Sequence, residues 1–258
     1  MGVSYFTNSK GLKLAFVHNN ADERGRDLPA LVFLGGYKSD MEGSKALFLE
    51  EHCRQSGQEF LRLDYSGHGQ SEGEFTDGTI GSWLGDARGV IAHAIAAPEM
   101  IVVGSSMGGW LALRLLIDNP EGIPRICGLI GIAAAPDFTK DVMAMLTPAE
   151  LADLEANGRV VQPSDYDEPY IFTRELFDDG EMRSLLNPVT PYKTDAMITL
   201  LQGREDNAVL WKKALLIEEA FDSPSTQVIF IDDGDHSLSR PEDLDLLDEQ
   251  IALMIKGA

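Results

Sequence analysis

The stretch Met100-Ile-Val-Val-Gly-Ser-Ser-Met-Gly-Gly-Trp110 constrains this chain more than any other. Ile101, Val102 and Val103 are β-branched and favour a strand. Met107 to Ile117 is apolar nearly all round and predicts a buried helix. Between them stands only Gly104-Ser-Ser-Met-Gly108, a Gly-x-Ser-x-Gly with no room for a loop. A strand that turns so abruptly into a helix needs strained backbone at the turn, and the flanking glycines leave space for it and for close helix–strand packing. The helix N-terminus also aims unpaired N–H groups at the turn. Ser106, at the centre, is the candidate nucleophile and Ser105 the weaker rival. A plain N-cap on a buried helix is the alternative.

The rest of the chain repeats this rhythm. Strands are predicted at Lys13–Val17, Ala30–Leu34, Phe60–Asp64, Met100–Gly104, Ile126–Ile132, Met197–Leu201 and Gln227–Ile231. Helices are predicted at Ile80–Ile95 and Pro241–Ile255, both with apolar residues at helical spacing. Short apolar strands alternating with helices imply an α/β fold with a mostly parallel central sheet covered on both faces. At 258 residues, one such domain spanning 1–258 can bury about three quarters of the surface of its unfolded chain.

The rhythm breaks once, between Ala134 and Met197. The segment Pro136 to Pro188 is too long for one crossover helix and holds predicted helices at Pro148–Asn157 and about Tyr170–Leu176. It reads as a cap inserted at about 136–190 over the carboxyl edge of the sheet, where open α/β sheets bind ligands. A pair of ordinary packing helices is the alternative.

The Gly-x-Ser-x-Gly setting resembles that of the α/β-hydrolases, in which the acid and then the histidine follow the serine. After Met197–Leu201 comes Gln202-Gly-Arg-Glu-Asp206, so Asp206 is the candidate acid and Glu205 its rival. Of five histidines, His18, His52, His68 and His93 precede Ser106 in the chain. His236 alone follows both Ser106 and Asp206, in a turn ahead of the last helix, and is the candidate base. The run Leu31-Val-Phe-Leu-Gly-Gly-Tyr37 ends a strand in a glycine pair, as the second oxyanion donor of such an enzyme requires. The candidate donors are the backbone N–H groups of Tyr37 and Met107, with an ordinary Gly-Gly turn as the alternative for the first.

Four stretches narrow the resemblance: Phe33-Leu-Gly-Gly-Tyr-Lys-Ser-Asp-Met41, Asp64-Tyr-Ser-Gly-His-Gly-Gln-Ser71, Gly104 to Trp110, and Asp235-His236. They resemble the α/β-hydrolase group of acyl-glucuronide esterases and palmitoyl-protein thioesterases, over most of the chain. The resemblance implies a serine hydrolase of carboxylic esters or thioesters, with an acyl-enzyme intermediate and neither metal nor organic cofactor. Within the same fold, a serine peptidase or a carbon–carbon bond hydrolase is the alternative. A catalytically idle binding module is the alternative of another class, and it predicts a missing triad member where none is missing.

Charge and composition bound the partners. With 42 acidic against 21 basic residues the formal charge is −21, which disfavours nucleic acid and anionic membrane surfaces. The segment 136–188 holds 12 acidic and 4 basic residues, which disfavours strongly anionic substrates such as acyl-CoA. No run approaches the roughly 18 apolar residues that span a bilayer, so stable membrane insertion is not expected. Cys53 and Cys127 show no disulfide or metal spacing. The N-terminus has no basic and apolar leader pattern, and Phe6 stands where a myristoylation signal needs Ser or Thr. A cytoplasmic location is therefore the expectation, with a small-molecule or acylated substrate as partner.

Overall fold

A computed structural model describes residues 2–163, 169–223 and 225–257. The first half of the chain runs β1 (Ser4–Thr7), β2 (Lys13–Asn19), β3 (Ala30–Leu34), α1 (Ser44–Ser56), β4 (Phe60–Leu63), α2 (Ile80–Ala94), β5 (Glu99–Ser105), α3 (Met107–Asp118) and β6 (Arg125–Ile132). The second half runs α4 (Phe138–Met145), α5 (Pro148–Asn157), β7 (Arg159–Gln162), β8 (Tyr170–Thr173), α6 (Arg174–Met182), β9 (Tyr192–Lys193), β10 (Met197–Gly203), α7 (Lys212–Ala220), β11 (Phe221–Asp222), β12 (Thr226–Ile231) and α8 (Pro241–Gly257).

Eight strands form the central sheet in the order β1-β2-β4-β3-β5-β6-β10-β12. The β1–β2 and β2–β4 pairs are antiparallel and every other pair is parallel, as the alternating rhythm predicts. Side chains alternate across each strand. Val32, Leu34, Met100 and Val102 pack in one core beneath α2 and α3, while Leu31, Phe33, Ile101 and Val103 pack in a second beneath α1 and α8. Both faces are therefore covered, which is what runs without a polar alternation require.

Chain order in the sheet reverses between β3 and β5: the connection from β3 goes outward to β4, and the next strand returns to the opposite side of β3. Such a switch point opens a crevice at the carboxyl ends of the two strands. Leu34 pairs with Gly104 at that end, so the loops carrying Gly35 and Ser106 leave the sheet side by side.

Between β6 and β10 the described residues add no strand to the central sheet. They include α4, α5, the antiparallel β7–β8 pair, α6 and β9, and their Leu146, Leu154, Val160, Phe172, Leu176 and Phe177 join the core under α2 and α3. The predicted helix at Pro148–Asn157 is present, with a reciprocal Thr147–Glu150 capping box, Pro148 in the first turn and Gly158 left-handed at its end. The helix predicted at Tyr170–Leu176 is corrected: Tyr170–Thr173 is a strand paired antiparallel with Arg159–Gln162, and the helix starts at Arg174. The cause is local chemistry, since Tyr170-Ile-Phe-Thr173 is β-prone and the Thr173 side chain accepts the Leu176 N–H as an N-cap. No helix among the described residues is long and apolar enough to cross a membrane.

Candidate active site

Ser106 stands between β5 and α3 at φ 54° and ψ −118°, a conformation that crowds any side chain. Packing around it accounts for the two glycines of the motif. A methyl carbon on Gly104 would lie 2.4 Å from the Gly108 carbonyl oxygen, and one on Gly108 only 2.0 Å from that of Leu34. Only glycine lets α3 sit this close to the sheet. The Ser106 N–H donates to the Ile132 carbonyl at 2.9 Å, and the Ala135 N–H donates back to the Ser106 carbonyl at 3.0 Å. The strained turn is thus held from the neighbouring strand end.

The structure brings the three sequence candidates together. His236 Nε2 lies 3.1 Å from Ser106 Oγ, and its Nδ1 lies 2.9 Å from Asp206 Oδ2. The Asp206 side chain is fully buried, whereas that of His236 is 32% exposed, so the imidazole links a buried anion to an open face. Asp206 also accepts the Ala208 and Val209 N–H groups and the Gln202 side-chain amide. Burial alone would raise its pKa, but the His236 contact and the backbone N–H bonds outweigh it and hold the carboxyl below its ordinary value. Its rival Glu205 is exposed, and its backbone N–H donates to the Gly234 carbonyl.

Ser105 is buried and ends β5, while Ser106 faces the imidazole. Lys45 escaped the sequence reading: its ammonium donates to the Ser237 carbonyl at 2.5 Å and to Ser239 Oγ at 3.1 Å, securing the loop that carries His236. A lysine bonding a carbonyl leaves no motif by which to find it.

Gly36 touches the other side of Ser106. A methyl carbon there would lie 3.4 Å from Ser106 Cβ and 3.9 Å from Oγ. The Tyr37 and Met107 backbone N–H groups follow Gly36 and Ser106, and neither donates to an acceptor among the described residues. The Tyr37 side chain continues into an aromatic wall, stacked on Phe172 at 5.4 Å and edge-on to Phe75 and Phe138. Its hydroxyl donates to the Ile171 carbonyl at 2.5 Å.

A mostly parallel sheet with a serine on such a strand–helix turn defines an α/β-hydrolase. Residues 29–169 match the family model described as serine aminopeptidase, S33. Mouse mitochondrial palmitoyl-protein thioesterase ABHD10 is 35% identical over 225 residues, covering 85% of this chain and 72% of that protein. Its human counterpart is 34% identical over 222 residues, covering 85% and 70%. Among solved structures, a hydrolase from Agrobacterium vitis S4 matches with a TM-score of 0.91 and 37% identity over 98% of both chains. Mouse ABHD10 matches with a TM-score of 0.86 and 31% identity, over 100% of this chain and 99% of that one. The chain belongs to the α/β-hydrolase family of serine hydrolases, in the group that includes ABHD10, and is an enzyme of the esterase and thioesterase class.

One expectation is corrected by these relatives. The chain was expected to be cytoplasmic, but the curated mammalian relatives are named as mitochondrial proteins, so that expectation does not stand.

Proposed function

We propose that Ser106, His236 and Asp206 are the catalytic triad of a hydrolase that cleaves carboxylic esters or thioesters through an acyl-enzyme. The carrying observation is the continuous relay of 3.1 Å and 2.9 Å from Ser106 through His236 to Asp206. His236 takes the Ser106 proton as Oγ attacks the carbonyl carbon, and Asp206 stabilises the imidazolium that results. The tetrahedral oxyanion rests on the Tyr37 and Met107 N–H groups, each contributing about a hundred- to thousandfold in rate. Collapse expels the alcohol or thiol with the proton from His236, and a water activated by the same imidazole then releases the acid.

Within a single domain spanning 1–258, the segment of about 136–190 acts as a cap that shapes the acyl and leaving-group sites. Its Phe138 and Phe172 pack on Tyr37 beside the proposed oxyanion loop, which suits an apolar acyl group. Its excess of acidic residues opposes strongly anionic substrates. The thioesterase activity in the name of the ABHD10 relatives supports thioesters as one substrate class.

Hydrolysis of p-nitrophenyl esters from acetate to palmitate tests the reading, with Ser106→Ala alongside and a fluorophosphonate as probe. Turnover and labelling that vanish in Ser106→Ala are expected, and the chain-length optimum reports the depth of the acyl site. A wild-type protein that neither turns over any ester nor labels would sink the proposal.

A further inference from the structure

The stretch Asp64-Tyr-Ser-Gly-His-Gly-Gln-Ser71 holds no member of the triad, yet it is tied to the loop after β3 at three points. Tyr65 Oη donates to the Gly35 carbonyl oxygen at 3.2 Å, His68 Nε2 accepts the Lys38 backbone N–H at 3.3 Å, and Asp64 Oδ1 accepts the Met41 N–H at 2.7 Å. The anchored residues bracket Gly36 and Tyr37.

These bonds act on consecutive peptide planes. In a trans peptide the C=O and N–H of one plane point in opposite directions, so fixing either end aims the other. Tyr65 holds the plane between Gly35 and Gly36 by its oxygen. The Ser39 N–H holds the plane between Gly36 and Tyr37 by the Gly36 oxygen, at 3.2 Å, and this plane carries the Tyr37 N–H. His68 holds the plane between Tyr37 and Lys38 by its N–H. Lys38 itself sits at φ 58°, a left-handed conformation that a lysine adopts only when its surroundings impose it.

His68 suits the task. It is buried edge-on against Tyr65, Phe75 and Trp83, with ring centroids 5.4, 5.1 and 5.1 Å away. Its Nδ1 faces the Ser66 carbonyl at 3.3 Å, which leaves Nε2 as the acceptor. Burial lowers its pKa to about 4, so the acceptor lone pair persists at neutral pH. The flanking glycines let the loop curl this tightly, since a methyl carbon on Gly69 would lie 2.2 Å from Asp64 Oδ2.

We infer that His68 and Tyr65 are positioning residues for the oxyanion hole, fixing the peptide planes on either side of the one that bears the Tyr37 N–H. The inference rests on the proposal that this N–H is an oxyanion donor.

The test measures kcat, KM and the thermal midpoint with a p-nitrophenyl ester, together with inhibition by an alkyl trifluoromethyl ketone, whose hemiketal oxygen occupies the anion site. His68→Phe keeps the packed ring and removes the acceptor. It should lower kcat roughly tenfold or more with KM within about twofold, because misplaced donors cost rate more than substrate binding. Ketone affinity should fall by the same factor, and His68→Gln, which restores an acceptor near Nε2, should recover most of both. Tyr65→Phe, which removes one hydroxyl, should shift kcat in the same sense and keeps the test open should His68→Phe not fold. Unchanged kcat in both Phe variants, or losses that track the folded fraction alone, would overturn the inference while Ser106→Ala still abolishes activity. A wild type with no turnover and no fluorophosphonate labelling instead removes the parent proposal, and the inference with it.

Discussion

Gly203 and Gly234 meet backbone to backbone: a methyl carbon on Gly203 would lie 2.2 Å from the Gly234 carbonyl oxygen. This contact joins the loop that carries Asp206 to the loop that carries His236, and the Glu205 N–H bond to Gly234 closes it at 3.0 Å. The 2.9 Å separation of Asp206 and His236 therefore depends on two residues without side chains. Gly203→Ala is expected to cost both thermal stability and esterase activity, measured by calorimetry and ester turnover. Gly85→Ala is the control, because Gly85 lies exposed within α2 with nothing near a new methyl group. It should stabilise the protein by roughly 0.5–1 kcal/mol through helix propensity. Equal behaviour of the two variants would refute the packing argument.

The two acidic neighbours Glu205 and Asp206 should separate sharply in kinetics. Asp206→Asn leaves the shape intact but removes the anion that, in the proposed triad, holds the imidazole tautomer, and kcat is expected to fall by about 10⁴, the magnitude known for the serine-protease triad. Glu205→Gln changes an exposed side chain and should stay within about twofold of wild type in kcat, since substitutions on exposed groups have small effects. Comparable losses would move the acid assignment away from Asp206.

Asp64 and His68 titrate in opposite senses within one pH window. Burial raises Asp64 to about 6 against the pull of the Gln70 and Met41 N–H groups, with Asp40 and Glu42 adding to the rise. Its protonated form favours the fold, so that contribution is full below its ordinary 3.8 and is lost as pH climbs through about 6. His68 is depressed to about 4 by burial, so its contribution is present above the ordinary 6.5 and is lost as pH falls through about 4. Relative to wild type, His68→Phe should therefore gain stability as pH drops from 6.5 to 4, and Asp64→Asn as pH rises from 4 to 6. Urea unfolding across that range reads both, and curves parallel to wild type would contradict the assignment.

Asp137 is a structural counterpart on the segment between β6 and β10. It is buried at φ 56° and accepts Ser184 Oγ at 2.5 Å and the Leu185 and Leu186 N–H groups at 2.9 and 3.2 Å. It thus ties the start of α4 to the chain beyond α6. Asp137→Ala should cost about 2–4 kcal/mol in urea unfolding, from donors left without an acceptor and a left-handed residue without an Asx side chain. Asp137→Asn keeps an acceptor and should cost less. A neutral alanine variant would show that this anchor is dispensable.

The sequence was most legible where one local signal sufficed. The strand at Ala30–Leu34 and the helix at Pro148–Asn157 have the predicted bounds because an unbroken apolar run and a Thr147–Glu150 box need no distant partner. The strand at Tyr170–Thr173 was misread as helix because four residues carry too little periodicity, and only pairing with Arg159–Gln162 decides them. The short edge strand Ser4–Thr7 was missed for the same reason. At the site, chain order was enough to bring Ser106, Asp206 and His236 forward. The Lys38 N–H held by His68 and the Ser237 carbonyl held by Lys45 were illegible, because backbone groups are the same in every residue. The cytoplasmic expectation rested on N-terminal pattern alone, and the mitochondrial names of the mammalian relatives overturn it.

Ser106 occupies backbone angles that suit a residue with no side chain at all. Were its hydroxyl no longer of use, replacement by glycine would relax the turn and make the protein sturdier. Descendants released from hydrolysis should then drift toward glycine at this position, trading an obsolete reactive group for a calmer chain. On the role proposed for Ser106, a serine that stays there marks a lineage still selected for turnover, and sequencing relatives for the residue at this turn would separate working enzymes from retired ones.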